Sequence, residues 1–223
     1  MASSTRQPST AARRREREQA ILHATRSLFD EAGISEAQID DIARAVGVNR
    51  AIIYRHFSGK EELFALTLVS YLDELAQAFR AASEQTQSPQ EQLAALVGAF
   101  ADYGASHPAF VDCALTLMRR PGSVLFDELS EAALFRLGRA MSNCLSQVSK
   151  AIDEGIASGA FREVDSTNLA NHMYATGLGA LQLARVGTLV GEAAPGVPTI
   201  SPVSAEQTRE FLVSTAQALV VTT

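Results

Sequence analysis

The sequence has few cysteines and no long apolar run. Its two cysteines, Cys113 and Cys144, are too few for a disulfide framework and do not form a CxxC zinc motif. No apolar stretch approaches the roughly 18 residues that a membrane span needs, and the first twenty residues are rich in arginine instead of apolar. We therefore expect a soluble intracellular protein that has no secretory signal and does not enter a membrane.

Sequence patterns typical of several enzyme and metal-binding classes are also missing. There is no GxSxG nucleophile elbow, no P-loop and no dinucleotide fingerprint, and no pair of carboxylates stands out from the surface charge. The histidines show no HExxH or other close ligand spacing. We therefore predict that the chain is not an enzyme and needs no metal and no cofactor, although an enzyme is retained as an alternative.

The net charge of −6 conceals an uneven distribution along the chain. Residues 1–60 carry ten basic and seven acidic side chains, whereas residues 61–223 carry nine basic and eighteen acidic ones. A positive N-terminal part on an otherwise acidic chain favours contact between that part and a polyanion. A solvated arginine-rich tail would give the same charge distribution.

Helix starts and stops are frequent along the sequence, and no segment shows sustained strand-like alternation. Apolar or small residues recur at helical spacing, bounded by capping residues, glycine and proline. The predicted helices span approximately 21–32, 35–46, 49–57, 58–83, 89–105, a short segment between Pro108 and Pro121, 123–159, 165–187 and 204–220. Residues 188–203 contain three prolines and two glycines and are predicted to form a loop. The fold class that we predict is all-α.

The helices divide into a small N-terminal unit and a larger C-terminal one. Residues 1–12 are predicted to be a flexible arm, 13–83 an N-terminal domain that includes a long connecting helix, and 84–223 a C-terminal helical domain. Leu63 to Val69, in the first turns of the connecting helix, are apolar nearly all round. This helix is therefore expected to pack on two sides and join the domains.

Residues 38–57, QIDDIARAVGVNRAIIYRHF, have the spacing of a helix-turn-helix. Ala43 lets two backbones approach, Gly47 tolerates a left-handed turn, and Ile53 fills the angle between the helices. A DNA-binding helix-turn-helix places its second helix in the major groove. The same spacing would also suit two packed helices without a ligand.

The outward side chains of this segment suit contact with DNA. Arg50 can reach guanine acceptors, Asn49 can cap the helix or read a base, and Ala51 and Ile52 can touch thymine methyl groups. Other polar side chains are placed to donate to phosphates, and an arginine cluster just before the first helix can grip phosphate or a minor groove. These further residues are Arg13, Arg14, Arg15, Arg17, Gln38, Tyr54, His56 and Lys60.

The stretch 15–75, with GVNRAIIYRHFSGKEELF at its centre, resembles the N-terminal domain of the TetR/AcrR family of transcriptional regulators. The resemblance covers about the first third of the chain. It implies an all-α homodimer with an N-terminal three-helix DNA-binding domain and a larger helical ligand-binding and dimerisation domain. It further implies a bacterial, cytoplasmic repressor that leaves a palindromic operator when a small, apolar effector binds.

Three positions depart from the family pattern. The family usually has Thr or Ser where this chain has Ala37 and Gln38, so Ser35 is expected to take over the helix cap and Gln38 the phosphate contact. Ile52 replaces a residue that is often small or hydroxylated in relatives, which we interpret as a change in operator preference.

The C-terminal domain offers an expected dimer interface and a set of ligand candidates. Residues 175–188 are rich in Ala, Gly and Thr, and Phe211, Leu212, Thr215 and Leu219 share one face of the last helix, which suggests a four-helix interface. Large apolar and nearby polar groups are candidates to line an effector pocket, although each can equally be ordinary core. These candidates are Phe100, Tyr103, His107, Phe110, Met118, Phe135, Met141, His172, Met173 and Tyr174.

A third interpretation remains open beside the regulator and the enzyme. The helical hairpin at 38–57 would serve a helical adaptor equally well if it contacted a protein instead of DNA. A regulator should bind random duplex DNA with a steep dependence on salt, whereas an adaptor or an enzyme should bind it little.

Overall fold

The computed structural model describes residues 9–34, 38–84 and 86–221, which form ten helices and one β-hairpin. The elements are α1 Thr10–Ala32, α2 Ile39–Val46, α3 Arg50–His56, α4 Lys60–Ser83, α5 Pro89–Ser106, α6 Pro108–Met118, α7 Gly122–Glu128, α8 Glu131–Ala157, α9 Ser166–Val186, β1 Thr188–Ala194, β2 Val197–Pro202 and α10 Ala205–Val220. The helical fold class is confirmed, with the hairpin as a small addition.

Most of the predicted helix ends are confirmed by their capping contacts. Side-chain oxygens at the residue before α3, α5, α9 and α10 accept a hydrogen bond from a backbone N–H in the first turn of the helix. The residues are Asn49, Ser88, Asp165 and Ser204, and Ser204 forms a full capping box with Gln207. The predicted cap at Ser35 lies outside the described residues.

Two predictions near the N-terminus were wrong. Helix α1 begins at Thr10, so Arg13, Arg14 and Arg15 lie on the helix and not before it. The spacing of Ser58 and Glu61 also predicts a capping box at the start of α4, which does not form, because Gly59 is the residue before α4 and Ser58 hydrogen-bonds to Glu62 instead.

In the C-terminal half one prediction is refined and one was wrong. The helical region expected over 123–159 consists of two helices, α7 and α8, because Ser130 caps a new helix by accepting from the N–H of Ala133 at 3.2 Å. The segment 188–203 is largely an antiparallel hairpin and not an irregular loop, with Val190 paired to Ile200.

One apolar core runs through both predicted domains, and α4 is its centre. Leu63 to Val69 are all buried, as their all-round apolar pattern predicts. Helix α4 packs on α1 on one side and on α5, α6 and α8 on the other. A change in the position of α4 would therefore alter the packing of both units.

The two cysteine side chains are buried in this core. Burial raises the pKa of the Cys144 thiol to about 12, and the pKa of Cys113 rises for the same reason. Among the described helices, none combines the length and the hydropathy that a membrane span requires.

Candidate nucleic-acid interface

Helices α2 and α3 meet through a tight turn at Gly47. Gly47 has φ 70° and ψ 34°, the left-handed conformation that glycine adopts without strain. The N–H of Val48 then bonds to the carbonyl of Ala43 at 2.9 Å. Ile42 and Ile53 are buried in the angle between the helices. The predicted helix-turn-helix geometry is therefore present.

The polar face of α3 points away from this core. Arg50, Ala51 and Tyr54 are exposed, and Ile52 is half-buried. Asn49 is also exposed, and its Oδ1 accepts from the N–H of Ile52 at 3.1 Å, so its side chain serves as the helix cap.

Arg50 and Tyr54 form a pair on this face. An Nη2 of Arg50 donates to the hydroxyl of Tyr54 at 3.1 Å, and the guanidinium lies 5.4 Å from the centre of the Tyr54 ring. The pKa of Arg50 is raised by this hydrogen bond, by its electrostatic interaction with Tyr54 and by Asp40, whose carboxylate is 3.9 Å away. Arg50 is thus held along α3 and stays exposed to solvent.

A basic cleft lies between the start of α1 and the end of α3. Arg13, Arg14 and Arg17 of α1 form one wall. Arg55 and His56 of α3 belong to the other wall, together with Val48 and Ile52. We call this feature the α1–α3 cleft.

Sequence reasoning found only part of this cleft. Arg15 was grouped with the arginines of α1, but it is exposed outside the cleft. Arg55 was missed, although its position on α3, five residues after Arg50, places it at the end of the helix nearest α1.

His56 sits at the inner edge of the α1–α3 cleft. Its ring is half-buried, and its Nδ1 is buried with no hydrogen-bond partner among the described residues. Burial lowers the pKa of His56, Arg14 and Arg17 lower it further, and Glu18 opposes them. The neutral imidazole is therefore favoured in the protein alone.

The remaining residues that were predicted to contact DNA are Gln38 and Lys60. Gln38 is exposed just before α2 and makes no capping bond with its side chain. The ammonium of Lys60 lies 5.0 Å from the centre of the Phe64 ring, at the start of α4. Ala37 lies outside the described residues.

A buried carboxylate joins the turn after α3 to the start of α8. Glu62 accepts hydrogen bonds from the backbone N–H and hydroxyl of Ser58 and from those of Ser130. It is only 5% exposed. A second link is the ion pair between Arg136 of α8 and Glu18 of α1, 2.5 Å apart.

A third link connects α1 to α4 and α5. Arg26 pairs with both oxygens of Glu74, one of them at 2.6 Å, and its guanidinium lies 4.2 Å from the centre of the Tyr71 ring. The hydroxyl of Tyr103 donates to Glu74 at 3.0 Å, and that of Tyr71 donates to Asp30 at 2.7 Å. The N-terminal unit is thus tied to the C-terminal one by polar contacts as well as by apolar packing.

The ligand candidates fall into three separate groups. Four of them, Phe100, His172, Met173 and Tyr174, line an apolar cavity of about 140 Å³ between α4, α5, α8, α9 and α10. Tyr103, His107 and Phe110 instead form an aromatic cluster, with Tyr103 stacked on His107 at 4.2 Å.

The last group of candidates does not face either feature. Met118 and Phe135 are exposed, and Met141 packs half-buried against the core without lining the cavity. Cavity residues that sequence reasoning did not select include Leu75, Phe79 and Leu96, whose pattern is that of any core residue. Within the described ranges, no group of three or more His, Cys, Asp or Glu side chains is arranged to hold a metal ion.

Comparison with known proteins finds a family that part of the N-terminal unit resembles. Residues 21–67 match the family model described as bacterial regulatory proteins, tetR family. The chain is 36% identical over 90 residues to the transcriptional activator FasR of Mycolicibacterium smegmatis, a match that covers 40% of this chain and 41% of FasR. It is 41% identical over 87 residues to the regulator TcmR of Streptomyces glaucescens, covering 39% and 36% of the two chains. The match thus spans less than half the length of either relative.

Solved structures extend the likeness of the fold to nearly the whole chain. RolR in complex with resorcinol superposes with a TM-score of 0.68 at 14% identity, covering 94% of this chain and 90% of RolR. The ketosteroid regulator KstR2 of Mycobacterium tuberculosis gives a TM-score of 0.60 at 21% identity, covering 96% and 98%. Taken with the helix-turn-helix geometry, these findings show an N-terminal unit that is similar to the tetR family of bacterial regulatory proteins, within a fold that is similar over nearly the whole chain to solved structures such as KstR2.

Proposed function

We propose that this protein is a dimeric transcriptional repressor that binds a palindromic operator and leaves it when a small apolar effector binds. The observation that carries the proposal is the exposed face of α3, which continues into the α1–α3 cleft. One side of the N-terminal unit therefore presents base-reading side chains next to a concentration of arginines.

The side chains on this surface divide into two roles. Arg50 reads guanine acceptors in the major groove, while Ala51 and Ile52 contact thymine methyl groups. Asn49 keeps its cap and faces the groove from the start of the helix. The residues that contact phosphates are Arg13, Arg14, Arg15, Arg17, Gln38, Tyr54, His56 and Lys60, and we add Arg55 because it lines the α1–α3 cleft.

A dimer follows from the way a short recognition helix reads DNA. One α3 covers few base pairs, and two copies about 34 Å apart, or a multiple of that distance, read two half-sites of a palindrome. The exposed apolar side chains of α9 and α10, among them Leu183, Val186, Phe211 and Leu219, supply an interface. Of the residues expected on that face, Leu212 is buried and lines the cavity, Thr215 lines it too, and Leu219 borders it while remaining 39% exposed.

The cavity is our proposed effector site. Its lining is almost wholly apolar, and His172, Thr176 and Thr215 add a few polar groups. Its volume of about 140 Å³ is close to that of engineered cavities of about 150 Å³ that hold benzene. We therefore infer an effector built on a small apolar ring, a class to which the resorcinol bound by RolR is related.

Helix α4 contributes to both the effector cavity and the turn after α3, which gives a route by which an effector can release DNA. Leu75 and Phe79 of α4 line the cavity, and the first turn of α4 carries Glu62, which holds Ser58 after α3. An effector that displaces α4 alters the separation of the two recognition helices. A coupling free energy of about 1–3 kcal/mol changes operator affinity roughly 5- to 150-fold.

The sign of regulation and the cellular location are part of the proposal. FasR is named a transcriptional activator, whereas release of DNA by an effector is the behaviour of a repressor. We propose repression, in the bacterial cytoplasm, where DNA and small metabolites meet.

The DNA proposal is tested by fluorescence anisotropy with a random duplex at several salt concentrations. Replacing Arg13, Arg14 and Arg17 together by Gln should flatten the plot of log affinity against log salt by about 0.9 for each phosphate that the variant no longer neutralises. The control replaces three exposed arginines outside α1 to α3, namely Arg80, Arg119 and Arg139, by Gln. Equal slopes for the two triple variants would overturn the assignment of the α1–α3 cleft.

The effector proposal is tested by a thermal-shift screen of small aromatic and alicyclic compounds. Ala216→Leu adds volume inside the cavity and should reduce the affinity of any compound found about tenfold or more, through overlap with the ligand. Ala218→Leu, an exposed neighbour on α10, is the control. A compound that binds the parent and Ala216→Leu equally well occupies a different site.

A further inference from the structure

The β-hairpin between α9 and α10 is exposed along its whole length. Strands β1 and β2 are joined by Pro195 and Gly196, and Gly196 has φ 78°, as a Pro-Gly type II turn requires. Every residue of both strands is exposed. The N–H of Val203 bonds to the carbonyl of Gly187 at 3.1 Å and closes the base of the hairpin.

One face of the hairpin is apolar except for Thr188 and Glu192, which lie two residues to either side of Val190. Val190 pairs directly with Ile200, and their exposures of 80% and 74% are the largest among the large apolar side chains in the described part of the chain. Pro198 and Pro202, two residues to either side of Ile200, lie on the same face. Glu192 is the one charged residue in 188–202, and its carboxylate accepts from the N–H of Gly196 at 2.5 Å.

A hairpin of this kind needs something to cover it. A two-stranded hairpin alone is at best marginally stable in water, and further stability comes from packing an apolar face. Exposed hairpins usually carry charged side chains, lysine above all, which discourage association. Residues 188–202 contain no lysine and no arginine. The composition therefore suits a face that is buried in the working protein.

The position of the hairpin indicates what covers it. Of fourteen exposed large apolar side chains in the described residues, nine lie between Leu183 and Val221. Leu183 and Val186 lie at the end of α9 that leads into the hairpin, four lie on the hairpin itself, and Phe211, Leu219 and Val221 lie on α10 or just after it. Seven strand residues span about 23 Å, enough to cross two helices of about 10 Å diameter each.

The prolines indicate how the hairpin associates. Pro198 and Pro202 have no N–H, and proline in a strand is found where the N–H would face outward. Two of the positions along the outer edge of β2 therefore lack a donor for pairing with another strand. Contact through the Val190–Ile200 face is then favoured over pairing at this edge.

We propose that the hairpin is a dimerisation arm whose Val190–Ile200 face packs across the α9–α10 surface of a second copy of this chain. Two-fold symmetry makes the contact reciprocal, so each dimer contains two arms, each of which packs on the other subunit. This inference rests on the dimer proposed above and assigns part of its stability to the arm.

The test is the monomer–dimer equilibrium measured by sedimentation equilibrium over a range of protein concentrations. Val190→Lys with Ile200→Lys should raise the dimer dissociation constant about tenfold or more, because the four aliphatic side chains that the two arms bury in each dimer are replaced by charged ones. The control is Phe126→Lys with Phe135→Lys, two side chains of similar exposure on α7 and α8. Circular dichroism checks that each variant keeps its helices.

A second variant removes the arm. Because Gly187 and Val203 are hydrogen-bonded to each other, a short Gly-Ser linker can replace residues 188–202 without moving α9 or α10. It should weaken the dimer at least as much as the double lysine variant. A photo-crosslinking amino acid at position 190, in a mixture of isotopically light and heavy chains, should give crosslinks between light and heavy peptides.

The possible outcomes distinguish a failure of the arm proposal from a failure of the dimer proposal. A parent protein that is monomeric at every concentration tested overturns both proposals. A dimeric parent whose two arm variants dimerise as well as the control overturns the arm alone. Crosslinks from position 190 that join only peptides of the same isotope also overturn the arm.

Discussion

The hydroxyl of Ser130 donates to the carboxylate of Glu62 at 3.0 Å, and the backbone N–H of Ser130 donates to the same carboxylate at 3.2 Å. Ser130 also caps α8, while Glu62 holds Ser58 in the turn after α3. One buried acid thus fixes the start of α8 relative to the end of the recognition helix. Contacts of this kind let a shift of the C-terminal unit reach α3.

We expect Glu62→Ala to lower the free energy of unfolding by about 2 kcal/mol. The substitution leaves the N–H groups of Ser58 and Ser130, which are partly buried, without their acceptor, and such losses cost about 1–3 kcal/mol. Glu62→Gln should have a smaller effect, since its amide oxygen still accepts. Urea denaturation measures both, with Glu163→Ala, an exposed acid, as the control. A decrease no larger than that of the control would contradict the role of Glu62.

Substitutions of Arg50 and Tyr54 should differ in what they do to DNA binding. Arg50→Ala should relax preference at one base position, at a cost of about 1–3 kcal/mol on the preferred operator. Tyr54→Ala should weaken binding to all sequences by a similar factor, because it removes a hydroxyl that donates to phosphate. Arg80→Ala, near the C-terminal end of α4, should leave operator binding unchanged.

The hydrogen bond between Arg50 and Tyr54 should make the two effects non-additive. Each substitution already removes the interaction between the two side chains, so the double variant should bind more tightly than the sum of the two single effects predicts. Anisotropy with an operator selected from a random library measures the four proteins. Parental affinity in both single variants would mean that α3 does not enter the groove.

Two glycines of α8 should respond oppositely to alanine. A Cβ at Gly155 would lie 2.0 Å from Cδ2 of the buried Phe161, so Gly155→Ala should cost about 1–3 kcal/mol of stability. At Gly138 no atom lies within 4 Å of the added Cβ, and Gly138→Ala should stabilise the helix by about 0.5–1 kcal/mol. Thermal unfolding of the two variants tests this, and a shift of the same sign in both would contradict it.

The stability of the protein should fall as pH drops below the ordinary histidine pKa. The pKa of His56 is lowered in the folded state by burial and by Arg14 and Arg17, so near and below pH 6.5 the unfolded chain binds more protons there. The contribution of His56 is therefore present above its unfolded pKa and is lost as pH falls toward the folded pKa. His56→Gln should flatten this part of the stability curve measured by urea denaturation, whereas His23→Gln, an exposed histidine of α1, should not.

The features that could be predicted from the sequence are those that depend on interactions between residues close together in the chain. Capping residues such as Ser88 and Asp165, and the left-handed turn at Gly47, act within one or two helical turns and are legible from spacing alone. The helix-turn-helix and its exposed residues follow from the same spacing. The break between α7 and α8 also has a signal in the local sequence, because Ser130 is followed by Glu131 and then by the apolar side of α8.

The features that the sequence did not predict depend on long-range packing. The prolines and glycines of 188–202 indicate a loop, whereas the pairing of Val190 with Ile200 depends on a partner strand ten residues away. Phe100 and Tyr103 lie on the same helix three residues apart, yet only Phe100 faces the cavity. The rotation of α5 about its axis decides which of the two side chains faces the cavity, and sequence periodicity alone does not determine that rotation.

The burial of Cys113 and Cys144 has a practical consequence. Because both thiols are enclosed and their pKa values are raised, a maleimide reagent at neutral pH should leave the native protein unmodified. One cysteine introduced at an exposed site on the polar face of α3 would then carry the dye alone, without prior removal of the natural thiols. Energy transfer between two such dyes would report the spacing of the recognition helices as operator or effector is added.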